Sequence, residues 1–235
     1  MKLILKPSAS RMHKKDAWKE SWYAFVPYQT HFGELCGFAD DIVEAGQGFG
    51  MHPHQNMEIS TILVSGSQAH KDNTGSEGVI NENAVQTMSA GTGIMHSEFN
   101  ASQTDAFHSY QIWVYPKVEN VKPRHEKYKY DTKEKLNKIL LTLSPDGRDR
   151  TALINQDAFF SVTRVDANFP LVYKMNMEGN GVYIHCAKGK VEIEGNVLGP
   201  GDAIGLYETD VVKLKGVELA DLVFVEVPMR KGVRQ

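Results

Sequence analysis

The residues with the most chemical content sit in two short phrases. Gly48-Phe49-Gly50-Met51-His52-Pro53-His54 places two imidazoles at i and i+2, and Ile94-Met95-His96-Ser97-Glu98 places an imidazole and a carboxylate at the same interval. On an extended strand that interval sends both side chains to one face. Two such strands facing each other inside a barrel would bring His52, His54, His96 and Glu98 to one point. Three imidazoles and one carboxylate suit a divalent first-row metal and leave room for further ligands. A lone core histidine is usually a hydrogen-bonded structural residue; two paired phrases in one chain are harder to explain that way.

Such a site needs strands to hold it, and strand signals dominate. Runs rich in β-branched and aromatic residues at 57–64, 107–115, 181–187, 191–194 and 222–227 end at Gly, Asn or Pro. This pattern reads as an antiparallel barrel or sandwich. Helix is scarce; the best candidate is 133–139, with Asp131 or Thr132 as its cap. The two halves resemble each other. A strand, Gly66, a strand and a turn at Glu82-Asn83 in the first are matched by a strand, Gly189, a strand and Leu198-Gly199-Pro200-Gly201-Asp202 in the second. The expected division is 1–120 for a metal-binding unit, 121–135 for a linker and 136–235 for a second unit.

Composition narrows the function classes. Charged residues make up 23% and the formal net charge is −3, so there is no basic field for nucleic acid or an anionic membrane surface. No apolar stretch approaches the length of a membrane span. The cysteines, Cys36 and Cys186, are distant from one another, which fits a reducing cytoplasm rather than a disulfide framework. Cys186 has no acid partner or oxyanion phrase beside it and reads as a small buried residue.

Other candidates are weaker. Glu58 shares parity with His52 and His54 and either supports the site or ends a strand at the surface. Gln111 and Trp113 share parity on a later strand and either line the pocket or pack in the core. His70, His108, His125 and His185 show no partner at ligand spacing and read as structural or exposed.

The spacing His52-x-His54-x-x-x-Glu58, followed by His96-x-x-x-Asn100, matches the two-motif signature of cupin barrels. The fuller wording, residues 48–54 and Gln86-Thr87-Met88-Ser89-Ala90-Gly91-Thr92-Gly93-Ile94-Met95-His96-Ser97-Glu98, resembles the pirin family of bicupins, in particular bacterial members described as quercetin 2,3-dioxygenases. The resemblance spans nearly the whole chain and implies an all-β fold of two tandem cupin barrels (RmlC-like jelly rolls). It implies one metal, usually iron as Fe(II), though other first-row divalent ions are compatible, held by His52, His54, His96 and Glu98. The second barrel, with no histidine around Met175-Asn176-Met177-Glu178 or Ala203-Ile204-Gly205-Leu206, would hold none. The implied activity is oxidative cleavage of a flavonol such as quercetin by O2, with Glu98 as both ligand and base for the 3-hydroxyl proton. The alternative is a non-enzymatic metal- or redox-sensing protein that binds a transcription factor or metabolic enzyme. A monomer is the expected state. The wording departs from the family at Gln55-Asn56, Ala39-Asp40-Asp41, Glu82-Asn83 and the N-terminal Arg11-Met12 and Ala17-Trp18, around the mouth rather than at the ligands.

Overall fold

Strands form where β-branched and aromatic residues cluster between breakers. The five expected runs correspond to strands Glu58–Ser65, Phe107–Val114, Asn180–Lys188, Val191–Ile193 and Ala220–Pro228 in the computed structural model, which describes residues 1–234. Gly66, Asn83 and Gly189 turn the chain with φ of 81°, 62° and 72°. Glycine and asparagine tolerate that left-handed backbone, so the Glu82-Asn83 turn survives without a glycine.

Two pairs of sheets result. In the first half, a nine-stranded sheet runs Arg124–Lys129, Ala84–Ser89, Glu58–Ser65, Phe107–Val114, Leu35–Val43, Lys19–Phe25, Met12–Lys15, with His31–Phe32 and Val233–Arg234 off this path. A four-stranded sheet, Gly48–His54, Ile94–Asn100, Ser67–Asp72, Glu77–Asn81, packs against it. The second half repeats the plan with seven strands (Lys2–Lys6, Ala203–Tyr207, Asn180–Lys188, Ala220–Pro228, Phe159–Val165, Leu140–Ser144, Ala152–Leu153) and four (Pro170–Lys174, Val211–Gly216, Val191–Ile193, Asn196–Leu198). This is the expected all-β pair of tandem barrels.

Period-two alternation gives each large sheet two buried faces. Ile62, Val85, Tyr110 and Ile112 of the first meet Val162, Tyr183, Val223 and Val225 of the second in one apolar layer between the barrels. The chain ends cross over: Lys2–Lys6 pairs with Ala203–Tyr207, and Val233–Arg234 with His31–Phe32.

Two expectations change. The stretch read as a linker contributes the strand Arg124–Lys129, which pairs with Ala84–Ser89. The helix expected over 133–139 is a single 3-10 turn, Thr132–Lys135, capped by Asp131. It stops because Leu136 bridges to Arg164 and Asn137 takes φ 53°. Among the described residues no helix is long and apolar enough to cross a membrane.

Candidate metal centre

The Gly48–His54 and Ile94–Asn100 strands pair antiparallel with His52 opposite His96. A register shift follows, between His96 and Glu98. On its other edge Ile94–Asn100 pairs with Ser67–Asp72, setting His96 opposite Asp72, Glu98 opposite His70 and Asn100 opposite Gln68. Donor atoms of His52, His54 and His96 lie within 4.8 Å of one another. Glu98 joins through a second triplet at the same spacing, with His70 and His96. The expected four residues are therefore gathered around His96, with His70 as an unexpected neighbour.

Several details bear on whether a metal fits. His52 Nδ1 donates to the Gly50 carbonyl at 2.7 Å, which leaves Nε2 with a free lone pair. His96 is 1% exposed and neither ring nitrogen has a hydrogen-bond partner. Orphaned buried nitrogens are costly, and a divalent ion held here would satisfy one of them. Burial pulls His96 down to about 3, helped by His52 and His54, and pulls His54 down to about 4, helped by His52. Both are neutral near pH 7, the form that coordinates a metal. The donor set and its environment fit a divalent first-row ion.

Glu98 is buried, and burial lifts its carboxyl to about 7 against the pull of hydrogen bonds from Gln111 and Gln86. Three amides converge on it. Gln111 Nε2 donates to Oε2 at 2.8 Å, while Gln86 Nε2 and Gln68 Nε2 donate to Oε1 at 3.1 and 3.4 Å. Trp113 donates its indole N–H to Gln111 Oε1 at 3.3 Å and lies edge-on to His54, with ring centroids 5.0 Å apart. Gln111 and Trp113 thus stand directly against Glu98 and His54.

Glu58 does not. Its Oε2 accepts from Ser89 Oγ at 2.7 Å and from the Asn155 amide at 3.0 Å, so it joins the first half to the second on the opposite face of the large sheet. Parity counted from His54 fails because Asn56 takes φ 48° between the two strands and resets the alternation. His70 and His125 were the missed residues. Their rings stack at 3.9 Å and 2°, His70 Nε2 donates to Asp72 Oδ2 at 3.0 Å, and His125 reaches Gln86. The signal was available for His70, since His70-x-Asp72 repeats the i, i+2 spacing; nothing local marks His125. His108 pairs with Asp40 at 2.6 Å and His185 is fully buried between the barrels, both away from the cluster.

An all-β pair of jelly-roll barrels, one carrying converging histidines inside, defines a bicupin. The pirin model matches residues 7–114, and the model described as the quercetinase C-terminal cupin domain matches residues 141–227. A relative from Escherichia coli (strain K12), named quercetin 2,3-dioxygenase, is 32% identical over 96% of this chain and 99% of its own. The crystal structure of YhhW from Escherichia coli superposes with a TM-score of 0.90 at 31% identity, covering 97% of this chain and 98% of that one. A second crystal structure, of bacterial pirin YhhW in complex with nickel(II), gives 0.89 at 31% identity, covering 97% and 99%. The chain belongs to the pirin family.

Proposed function

We propose that this chain is a metal-dependent dioxygenase of the pirin type that cleaves a flavonol such as quercetin with O2. The observation that carries the reading is the convergence of three imidazoles, one of them buried with both nitrogens unpaired, beside a buried carboxylate. The name of the Escherichia coli relative and the nickel(II) complex of YhhW support it. In this reading His52, His54, His96 and Glu98 hold one divalent ion, with Fe(II) our assignment because imidazole and carboxylate donors suit it. When bound, that ion supplies a Lewis-acid contact for a chelating substrate and the electronic route for O2 chemistry.

The rest is the work of the chain. His52 and His54 are half-buried while His96 and Glu98 are buried, so a flat substrate enters from the His52 and His54 side. Trp113 borders its place. The apolar cluster of Met57, Ile59, Met88 and Ile94 keeps water from one end of the barrel interior. Glu98 takes the 3-hydroxyl proton. Oε1 already accepts from two amides and Oε2 from one, so a single lone pair on Oε2 is left, which would serve in turn as donor to the ion and as acceptor of the proton. In the metal-free chain burial lifts this carboxyl to about 7, so its surroundings favour a proton on Glu98 near neutral pH. We assign this work to the first unit, 1–120, and a structural role to the second, 136–235.

The test is O2 consumption by Fe(II)-reconstituted protein on adding quercetin. Uptake with carbon monoxide release is expected, reduced by at least about 100-fold in His52→Ala and Glu98→Ala. No uptake with any flavonol, from protein carrying one metal per chain, would overturn the reading.

A further inference from the structure

A glutamine amide presents a carbonyl on one side and an NH2 on the other, and turning it by half a rotation exchanges them. What keeps the NH2 toward a carboxylate is a donor on the carbonyl side. Each of two amides that hold Glu98 has such a donor. Trp113 Nε1–H points at Gln111 Oε1, and indole can only donate. His125 Nε2 faces Gln86 Oε1 at 3.4 Å, and imidazole can do either.

One arrangement gives every group on the ring a partner. Burial, reinforced by His70, pulls His125 down to about 3, so its ring carries one proton. Ser76 Oγ lies 2.8 Å from Nδ1, where the hydroxyl can donate and leave the ring proton on Nε2. The opposite tautomer would face Gln86 Oε1 with an acceptor, the amide would turn, and its carbonyl would meet Glu98. Ser76 is itself placed by a turn: Asp72 Oδ1 accepts from the Thr74 amide at 2.9 Å, the Thr74 hydroxyl at 2.7 Å and the Ser76 amide at 3.1 Å. The other carboxylate oxygen of Asp72 holds His70, whose ring stacks flat on His125.

We propose that His125, on the edge strand that follows the first motif pair, is a positioning residue for the metal centre: through Gln86 it holds the Glu98 carboxylate in the orientation in which it serves as a ligand. This deepens the proposed function and rests on its assignment of Glu98 to the metal. His125 touches neither metal nor substrate. Its effect is that of an outer partner on a ligand, a class of contact whose loss typically weakens metal binding roughly 10–100-fold.

The experiment is Co(II) binding to the full-length chain, followed by competition titration and by the visible spectrum of the bound ion. His125→Phe keeps a ring against His70 and removes the donor; His125→Gln keeps an N–H; Ser76→Ala frees the tautomer without touching the ring. His125→Phe is expected to weaken Co(II) by about tenfold or more and alter the spectrum. His125→Gln restores much of both, and Ser76→Ala shifts both in the same direction by less. Adding Gln86→Met to His125→Phe should cost little more, because both act through one amide. Affinity and spectrum within twofold of wild type in His125→Phe and Ser76→Ala, with a clear loss in Glu98→Gln, would overturn this inference alone. An unchanged Glu98→Gln would overturn the ligand assignment and the inference with it. Full additivity of His125→Phe and Gln86→Met would likewise count against the relay.

Discussion

The two barrels share a plan and differ inside. In the second, one continuous apolar cluster that includes Val165, Ile184, Ile193, Leu206, Leu214 and Phe224 fills the space between the sheets. In the first, the apolar residues fall into two clusters, one around Met57, Ile59, Met88 and Ile94, the other around Val43, Leu63, Ile80 and Phe107. On the strands between them lie Gln86 and Gln111 from the large sheet and Gln68, His70, His96 and Glu98 from the small one; the glutamines hydrogen-bond with Glu98 or with one another, and donor atoms of His70, His96 and Glu98 lie within 4.8 Å of each other. Each barrel also buries a carboxylate. Glu226 in the second accepts from the Tyr173 hydroxyl at 2.6 Å, from the Asn176 and Met177 amides and from the Asn176 and Asn180 side chains. That network is closed. Glu98 in the first is lifted to about 7, and its neighbour His96 has two unpaired nitrogens. A closed buried network stabilises a fold; an open one is tolerated at a site that binds something.

The largest effect that sharpens this contrast is expected in the second barrel. Phe224 is fully buried in the continuous core. Phe224→Ala should cost about 3–5 kcal/mol in denaturant unfolding while leaving the metal content of the folded fraction unchanged. Loss of metal from folded Phe224→Ala protein would show that the barrels are not separable in this sense.

The next concerns the open network. In the metal-free protein the folded state holds a proton on Glu98 that the unfolded chain releases, because the folded pKa is raised to about 7 from its ordinary 4.5. Stability should therefore fall as pH rises through that window, by something of order 3 kcal/mol. Glu98→Gln should remove this share of the slope and be more stable than metal-free wild type above neutral pH. Equal pH profiles for the two proteins would contradict the open-network account.

The same proton makes a third prediction. Metal uptake at about pH 6 should release about one proton more from wild type than from Glu98→Gln, read by calorimetry in buffers of different ionisation heat. His54 and His96, already neutral, add nothing to the difference. The smallest effect is expected at Glu58, outside the first barrel's interior. Glu58→Ala should cost about 1–3 kcal/mol through the lost contacts with Ser89 and Asn155 and leave metal affinity as it was. A changed affinity would return Glu58 to the site.

The sequence reveals most of this where the physics is local. The convergence of His52, His54, His96 and Glu98 is legible because strand geometry turns an i, i+2 spacing into a shared face. Glu58 was misplaced by the same rule, since one left-handed residue at Asn56 shifts the alternation. The 3-10 turn at Thr132–Lys135 has the capping of a helix, and tertiary pairing of Leu136 ends it. His125 is invisible for a different reason. Its relation to Glu98 arises only when the Arg124–Lys129 strand pairs with Ala84–Ser89, setting His125 opposite Met88 and within reach of Gln86.

The most direct test of the central claim is the metal content of purified, metal-loaded protein, measured per chain for wild type, for His96→Ala and for Tyr173→Phe in the closed network of the second barrel. The account predicts about one divalent ion per chain in wild type and Tyr173→Phe, and none retained by His96→Ala. Two ions per chain in wild type, or an ion that persists in His96→Ala and leaves with Tyr173→Phe, would contradict it.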